Sequence, residues 1–177
     1  MPVALVLSAL ALFGSAAPMT LATQQEHAAT AAARVPASIV AEHEELHVAL
    51  GVLTALAGRT GQMAREVERV LAPHFKKEEE YALPLLGLLR PLASGKLTEE
   101  MRSTAQLATR LKSELPRMLA EHQTIVKALE DLALAARSER QELALQFVGK
   151  LKLHSQNEEE VLYPAAILVG EYVALKH

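Results

Sequence analysis

The stretch Leu153–Pro164, LHSQNEEEVLYP, sets a histidine, three consecutive glutamates and a proline at the edge of an apolar run. An earlier stretch, Pro73–Pro84, reads PHFKKEEEYALP and aligns with it without a gap. His74 matches His154, Glu78 to Glu80 match Glu158 to Glu160, and Pro84 matches Pro164. The chain therefore contains an internal repeat. Residues four apart on an α-helix share a face, so His74 with Glu78 and His154 with Glu158 each form a local pair able to grip one ion.

Each half also carries a histidine one helix earlier in a shared context, EHEELHVAL around His43 and EHQTIVKAL around His122. Ile39, His43, Leu46 and Leu50 fall on one helical face, and Leu119, His122, Ile125 and Leu129 on another. A histidine on an apolar stripe points into a helical core. A lone histidine there is usually a satisfied core residue, and a glutamate run usually faces solvent. Two repeated His/Glu pairs with two matched histidines are different. Without a cation they would bury four imidazoles and two carboxylates together, which is strongly penalised. A metal centre is the expectation.

The chain has no cysteine, which excludes thiolate zinc sites, iron–sulfur clusters, disulfides and a thiol nucleophile. Carboxylates and imidazoles in a helical core suit iron or manganese better than a closed structural zinc site. Two shared carboxylates suggest two ions bridged at roughly 3.5–4 Å.

Half of the 177 residues are apolar while only 3 % are aromatic, a balance that favours packed helices over sheet. Apolar spacing predicts four helical segments: from about Ser38 to Gly58; from about Thr60 to Leu92, with Pro73 and Pro84 able to kink it; from a Thr98 N-cap to about Ala136, with a break at Pro116; and from a Ser138/Gln141 capping box to the C-terminus, with a break near Pro164. Short connections predict an all-α, up-and-down antiparallel four-helix bundle over 38–177. The formal charge of −3, with Lys and Arg scattered, offers no basic stripe for nucleic acid.

The first 25 residues carry no charged side chain and begin with the apolar run VALVLSALALFG, the length of a signal-peptide core. Residues 1–22 read as a signal peptide, cleaved after Ala16 or Ala22, or as a membrane anchor interrupted at Pro18. The first reading places the chain outside the cytoplasm, the second on a membrane. Residues 23–37, with His27, read as a flexible leader, and His177 as exposed. Met63, Met101 and Met118 read as core fillers, and Tyr81 and Tyr163 as core packing near the repeats.

These residues resemble the hemerythrin-like, or HHE cation-binding, domains. The resemblance spans about residues 38 to 170 and rests on the repeated H-x-x-x-E-E-E followed by a proline, each copy preceded by an EH helix. It implies a four-helix bundle with two non-haem iron ions, held by His43, His74 and Glu78 from one half and His122, His154 and Glu158 from the other. Glu78 and Glu158 would bridge, with Glu79 and Glu159 as adjacent alternatives. His47 departs from the repeat, since its counterpart is Val126. As a fifth imidazole it would leave one ligand position open for a small diatomic molecule, with Val126 or Ile125 lining the pocket.

Three functions follow from such a centre: binding of dioxygen or nitric oxide without catalysis, for storage, scavenging or sensing; enzymatic reduction of nitric oxide, consumption of peroxide or oxidation of iron; or a metal-stapled regulatory domain that would need a partner protein. The His-rich ligand set favours binding, because oxygen-activating bundles use more carboxylates.

Overall fold

The structure is a computed structural model that describes residues 33–176, all-α and without strands among those residues. The proposed signal or anchor segment, His27, most of the leader and His177 lie outside the described residues. The described end of the leader, residues 33–36, is non-helical, but Ala33 is buried against the core. No helix among the described residues is long and apolar enough to cross a membrane.

Helix α1 (Ala37–Thr54) is followed by α2 (Gly58–Lys77), a wide π turn (Glu78–Ala82), a 3-10 turn (Pro84–Leu88) and the short helices α3 (Leu89–Ala93) and α4 (Glu99–Arg102). The long α5 (Ala105–Glu139) leads to α6 (Glu142–Asn157), a second π turn (Glu158–Leu162) and α7 (Tyr163–Leu175). α1 packs on α2 and α6, and α5 packs on α2, α6 and α7.

The helix boundaries differ from those expected at three places, Pro116, Ser138 and Thr98. Pro116 does not break α5, which runs through it. Its ring is exposed, so the one missing backbone bond lies on the solvent side while packing holds the rest. Ser138 does not cap α6, because it lies inside α5. The chain turns instead at Arg140, which adopts the left-handed conformation while the Gln141 N–H donates to the Ala136 carbonyl at 2.8 Å, as in a Schellman closure. Thr98 stands at the N-cap of the short α4 rather than of the long helix, and its side chain makes no cap bond.

Both π turns sit directly before a repeated proline. Pro84 and Pro164 cannot donate a backbone bond, and their rings crowd the preceding turn. The turn widens, and the residue before each proline donates back to a glutamate: Leu83 N–H to the Glu78 carbonyl at 2.8 Å, and Tyr163 N–H to that of Glu158. The α2 N-terminus is satisfied from across the fold, since Glu139 accepts from the Arg59 N–H at 2.7 Å and the Thr60 N–H at 2.9 Å.

The apolar core divides into two layers. One contains Ile39, Tyr81, Leu85, Leu107, Met118 and Val169. The other contains Leu46, Leu71, Phe75, Ile125, Leu129, Phe147 and Leu151. On every long helix a histidine separates the layers: His43 between Ile39 and Leu46, His74 between Leu71 and Tyr81, His122 between Met118 and Ile125, and His154 after Leu151. The apolar positions thus bury a polar level.

Two glycines separate close approach from empty space. A Cβ on Gly170 would lie 2.3 Å from the Ala108 Cβ, so the small pair sets how near α7 comes to α5, whereas a Cβ on Gly149 would meet nothing within 4 Å. Gly170→Ala should therefore destabilise the protein by about 1–3 kcal/mol, with Ala108→Gly restoring part of the loss. Gly149→Ala should stabilise by roughly 0.5–1 kcal/mol. Thermal or urea melts of the three variants check both signs.

Candidate metal centre

The three glutamates that follow each of the repeated histidines, His74 and His154, fan around the helix axis, as successive helical side chains do. The first of each run turns inward: Glu78 and Glu158 are 0 % and 1 % exposed. The third faces outward, Glu80 accepting from Arg110 and Glu160 from Gln156. The middle ones, Glu79 and Glu159, lie alongside the cluster.

Four histidines and two glutamates meet at the polar level, all buried: His43, His74, His122 and His154 with Glu78 and Glu158. Their inward atoms form two groups that share both carboxylates. In the first, His43 Nε2 lies 3.8 Å from Glu78 Oε2 and 3.7 Å from Glu158 Oε1, and His154 Nε2 lies 3.2 Å from Glu158 Oε1. In the second, His74 Nε2 lies 3.1 Å from Glu78 Oε1, and His122 Nε2 lies 3.8 Å from Glu78 Oε1 and 3.5 Å from Glu158 Oε2. Each carboxylate offers one oxygen to each group.

Several of these separations are too long for hydrogen bonds. They match donors arranged around a common ion, since metal–ligand bonds of about 2.0–2.2 Å space neighbouring donors roughly 3–4 Å apart. The polar accounting agrees. His43 Nε2, His154 Nε2, Glu78 Oε2 and Glu158 Oε1 are buried without a hydrogen-bond partner, and they are the inward atoms of the first group. Buried polar atoms are ordinarily satisfied. Four unsatisfied ones aimed at one point fit a cation.

The other nitrogen of each imidazole faces a carboxylate. His43 Nδ1 lies 3.0 Å from Glu79 Oε1, His74 Nδ1 3.0 Å from Glu121 Oε2, and His122 Nδ1 2.7 Å from Glu159 Oε1. His154 Nδ1 lies 3.2 Å from Glu42 Oε1 but off the line of a hydrogen bond. A carboxylate only accepts, so Nδ1 donates and Nε2 is turned to the interior as the ligating nitrogen. Glu79 and Glu159, the sequence alternatives for the inward carboxylates, orient histidines instead. Glu42 and Glu121 are the glutamates of the repeated EH pair, and each serves a histidine of the opposite half. The one signal of this role in the residues themselves is the recurrence of a glutamate directly before His43 and His122.

His47 is not brought to the cluster. It is exposed on α1, one turn beyond His43, in neither group. At that level the α1 side chains turned inward are Leu46 and Leu50, so an inward imidazole would displace core. Of its expected neighbours, Ile125 is buried in the apolar layer and Val126 is half-buried.

Tyr163 is more than packing. It is fully buried, its hydroxyl donates to Glu78 Oε1, and the hydroxyl oxygen itself lies 3.5 Å from His74 Nε2 and 3.4 Å from His122 Nε2. Tyr81 keeps a packing role, its hydroxyl against Met118 Sδ at 3.3 Å and Arg110 over its ring.

Burial pulls the His43 and His122 pKa values down, but the glutamates around them outweigh it, Glu158 foremost, and raise them to about 9 and about 10. Glu158 is held well below the ordinary carboxylate range despite its burial, by the imidazoles of His122, His154 and His43 that surround it. Burial, with Glu78 and Glu158 nearby, pushes the Tyr163 phenol upward. A raised imidazole contributes stability below its unfolded value and loses it as pH rises through the folded value. Metal-free protein should therefore lose stability as pH rises from 6.5 through about 9 to about 10. It should also lose stability on acidification below 4.5, as Glu158 is protonated. Melts in chelator across that range check it; a flat alkaline limb would contradict it.

The fold and cluster agree with comparison to known proteins. Residues 113–176 match the family model of the hemerythrin HHE cation binding domain, a stretch that contains His122, His154, Glu158 and Tyr163. His43, His74 and Glu78 lie in the first half, ahead of the match, and reach the same level through the repeat. No curated protein and no solved structure gives a significant match to the chain. Residues 113–176 are thus similar to a hemerythrin HHE cation binding domain, and the buried His/Glu cluster that this stretch shares with the first half could hold a metal ion.

Proposed function

We propose that this chain is an up-and-down four-helix bundle holding two non-haem iron ions, and that it binds dioxygen or nitric oxide reversibly rather than consuming it. The observation that carries the reading is the set of four buried, unpartnered donor atoms of His43, His154, Glu78 and Glu158 aimed at one point. His43 and His154 would hold one ion, His74 and His122 the other, with Glu78 and Glu158 spanning both. His47 stays outside this set.

Iron held there would supply the electrons that dioxygen takes up on binding. The chain's own part is to orient, exclude and admit. Glu79, Glu121 and Glu159 hold three of the imidazoles in the ligating tautomer, Glu42 lies beside the fourth, and the two apolar layers keep bulk water from the polar level. Two imidazole nitrogens and two carboxylate oxygens per ion leave coordination positions for a small molecule. A groove of about 660 Å³ between α1 and α6 has Glu42 and His154 among its lining residues, with Leu46, Leu53 and Phe147 along its apolar wall. It supports entry of a diatomic ligand from that side. Export, with residues 1–22 removed as a signal peptide or kept as an anchor, belongs to the same reading; intact-mass measurement of protein from its own cells tests it.

Three measurements test the function. Metal analysis of the chain and of His47→Leu should give the same iron content, whereas His154→Leu should lose iron. Glu121→Gln, which removes an orienting charge from His74, should weaken iron binding roughly 10–100-fold with the fold intact. Anaerobic ferrous protein exposed to air should gain a visible absorption band and lose it on deoxygenation. No band, or turnover of several oxygen molecules per centre, would replace the binding function with a structural or an enzymatic one.

A further inference from the structure

The internal repeat makes the two halves of the centre nearly equivalent, so a departure between them is informative. Tyr163 is such a departure: it stands one residue before its proline, and the residue in the same place in the first half, before Pro84, is Leu83. Leu83 is buried in the apolar layer, whereas the Tyr163 hydroxyl reaches the polar level. It reaches one group alone. The oxygen donates to Glu78 Oε1 and lies 3.5 and 3.4 Å from the inward nitrogens of His74 and His122. The tyrosine ring also lies nearly parallel to His122, with centroids 5.8 Å apart, which fixes where the hydroxyl points.

The other group has no counterpart. Its inward atoms, His43 Nε2, His154 Nε2, Glu78 Oε2 and Glu158 Oε1, are all without a hydrogen-bond partner. The aromatic neighbour of His43 is Phe75, stacked at 4.2 Å with an interplanar angle of 3°, which brings no polar atom. The same carboxylate, Glu78, thus presents an engaged oxygen to one group and a free one to the other.

We infer that the two cation positions are unequal and fill in order, the His43/His154 position first, because the Tyr163 hydroxyl occupies the approach to the His74/His122 position. An ion entering the first position meets four donor atoms that no other side chain hydrogen-bonds, so it breaks no hydrogen bond there and offsets the cost of their unsatisfied burial. An ion entering the second must break the Tyr163 to Glu78 hydrogen bond or move the ring. Tyr163 is a positioning residue in this account, acting on the second ion through Glu78.

The inference rests on the metal-centre reading proposed above, and its test separates the two. Chelator-stripped full-length chain is titrated anaerobically with ferrous ion in a calorimeter. Two resolved steps are expected, with dissociation constants at least about tenfold apart, the value of a hydrogen bond to a charged group. Tyr163→Phe keeps the ring and removes only the hydroxyl; it should tighten the second step and merge the two. His154→Leu should abolish the tight step, and His74→Leu the weak one, with circular dichroism confirming the helices. A single two-ion step in the unaltered chain, or a second step that is unchanged or weaker in Tyr163→Phe, would overturn the inference and leave the metal centre standing. No heat and no bound iron in the unaltered chain would overturn the metal centre itself.

Discussion

Two carboxylates and four imidazoles buried at one level between two apolar layers form the constraint on which the rest of this molecule depends. Ionised carboxylates away from water demand compensation, and here it cannot come from solvent. It comes from whatever sits between the imidazole nitrogens and the carboxylate oxygens, a proton in the metal-free chain or a cation in the loaded one. The raised imidazoles and the strongly lowered Glu158 are two views of this demand. Folding and cation binding are therefore linked through the same six side chains.

The layer around the cluster is organised by crossing. Glu79 and Glu159 serve the histidine of their own half, but Glu42 and Glu121 serve the histidine of the other. Glu121 is further held by Lys77 and by Arg117, the latter at 3.3 Å. Neither half can orient its histidines alone. The prolines act outside the site, each preceded by a wide turn that begins at Glu78 or Glu158; the helical spread of successive side chains gives the three adjacent glutamates three different roles, inward, lateral and outward.

Near-symmetry of this kind gives the two groups their shared carboxylates, and the departures from symmetry make the groups unequal. Phe75 and Tyr163 are the departures in the buried level, their counterparts being Ser155 and Leu83. One stacks an apolar ring on His43 and the other brings a hydroxyl between His74 and His122. His154, with the loosest of the four Nδ1 contacts, lies where the groove between α1 and α6 comes closest to the cluster.

Much of this was legible in the residues because it is local. A helix repeats every 3.6 residues, so His74 with Glu78, His154 with Glu158, and the apolar neighbours of His43 and His122 declare their faces without knowledge of any partner. The same locality misled at Pro116, where packing carries the helix past a missing bond, at Ser138, where a capping pattern falls inside a helix, and at His47, which is near His43 in sequence but turned to solvent. What no local pattern carries is which side chains meet across helices. The reach of Glu42 and Glu121 to the opposite repeat, the orienting role of Glu79 and Glu159, and the single-sided approach of Tyr163 exist only once the helices are docked. The sequence determined which residues face inward, through helical periodicity and repetition. The tertiary structure decided which of them touch, because those distances are set by packing between elements far apart in the chain.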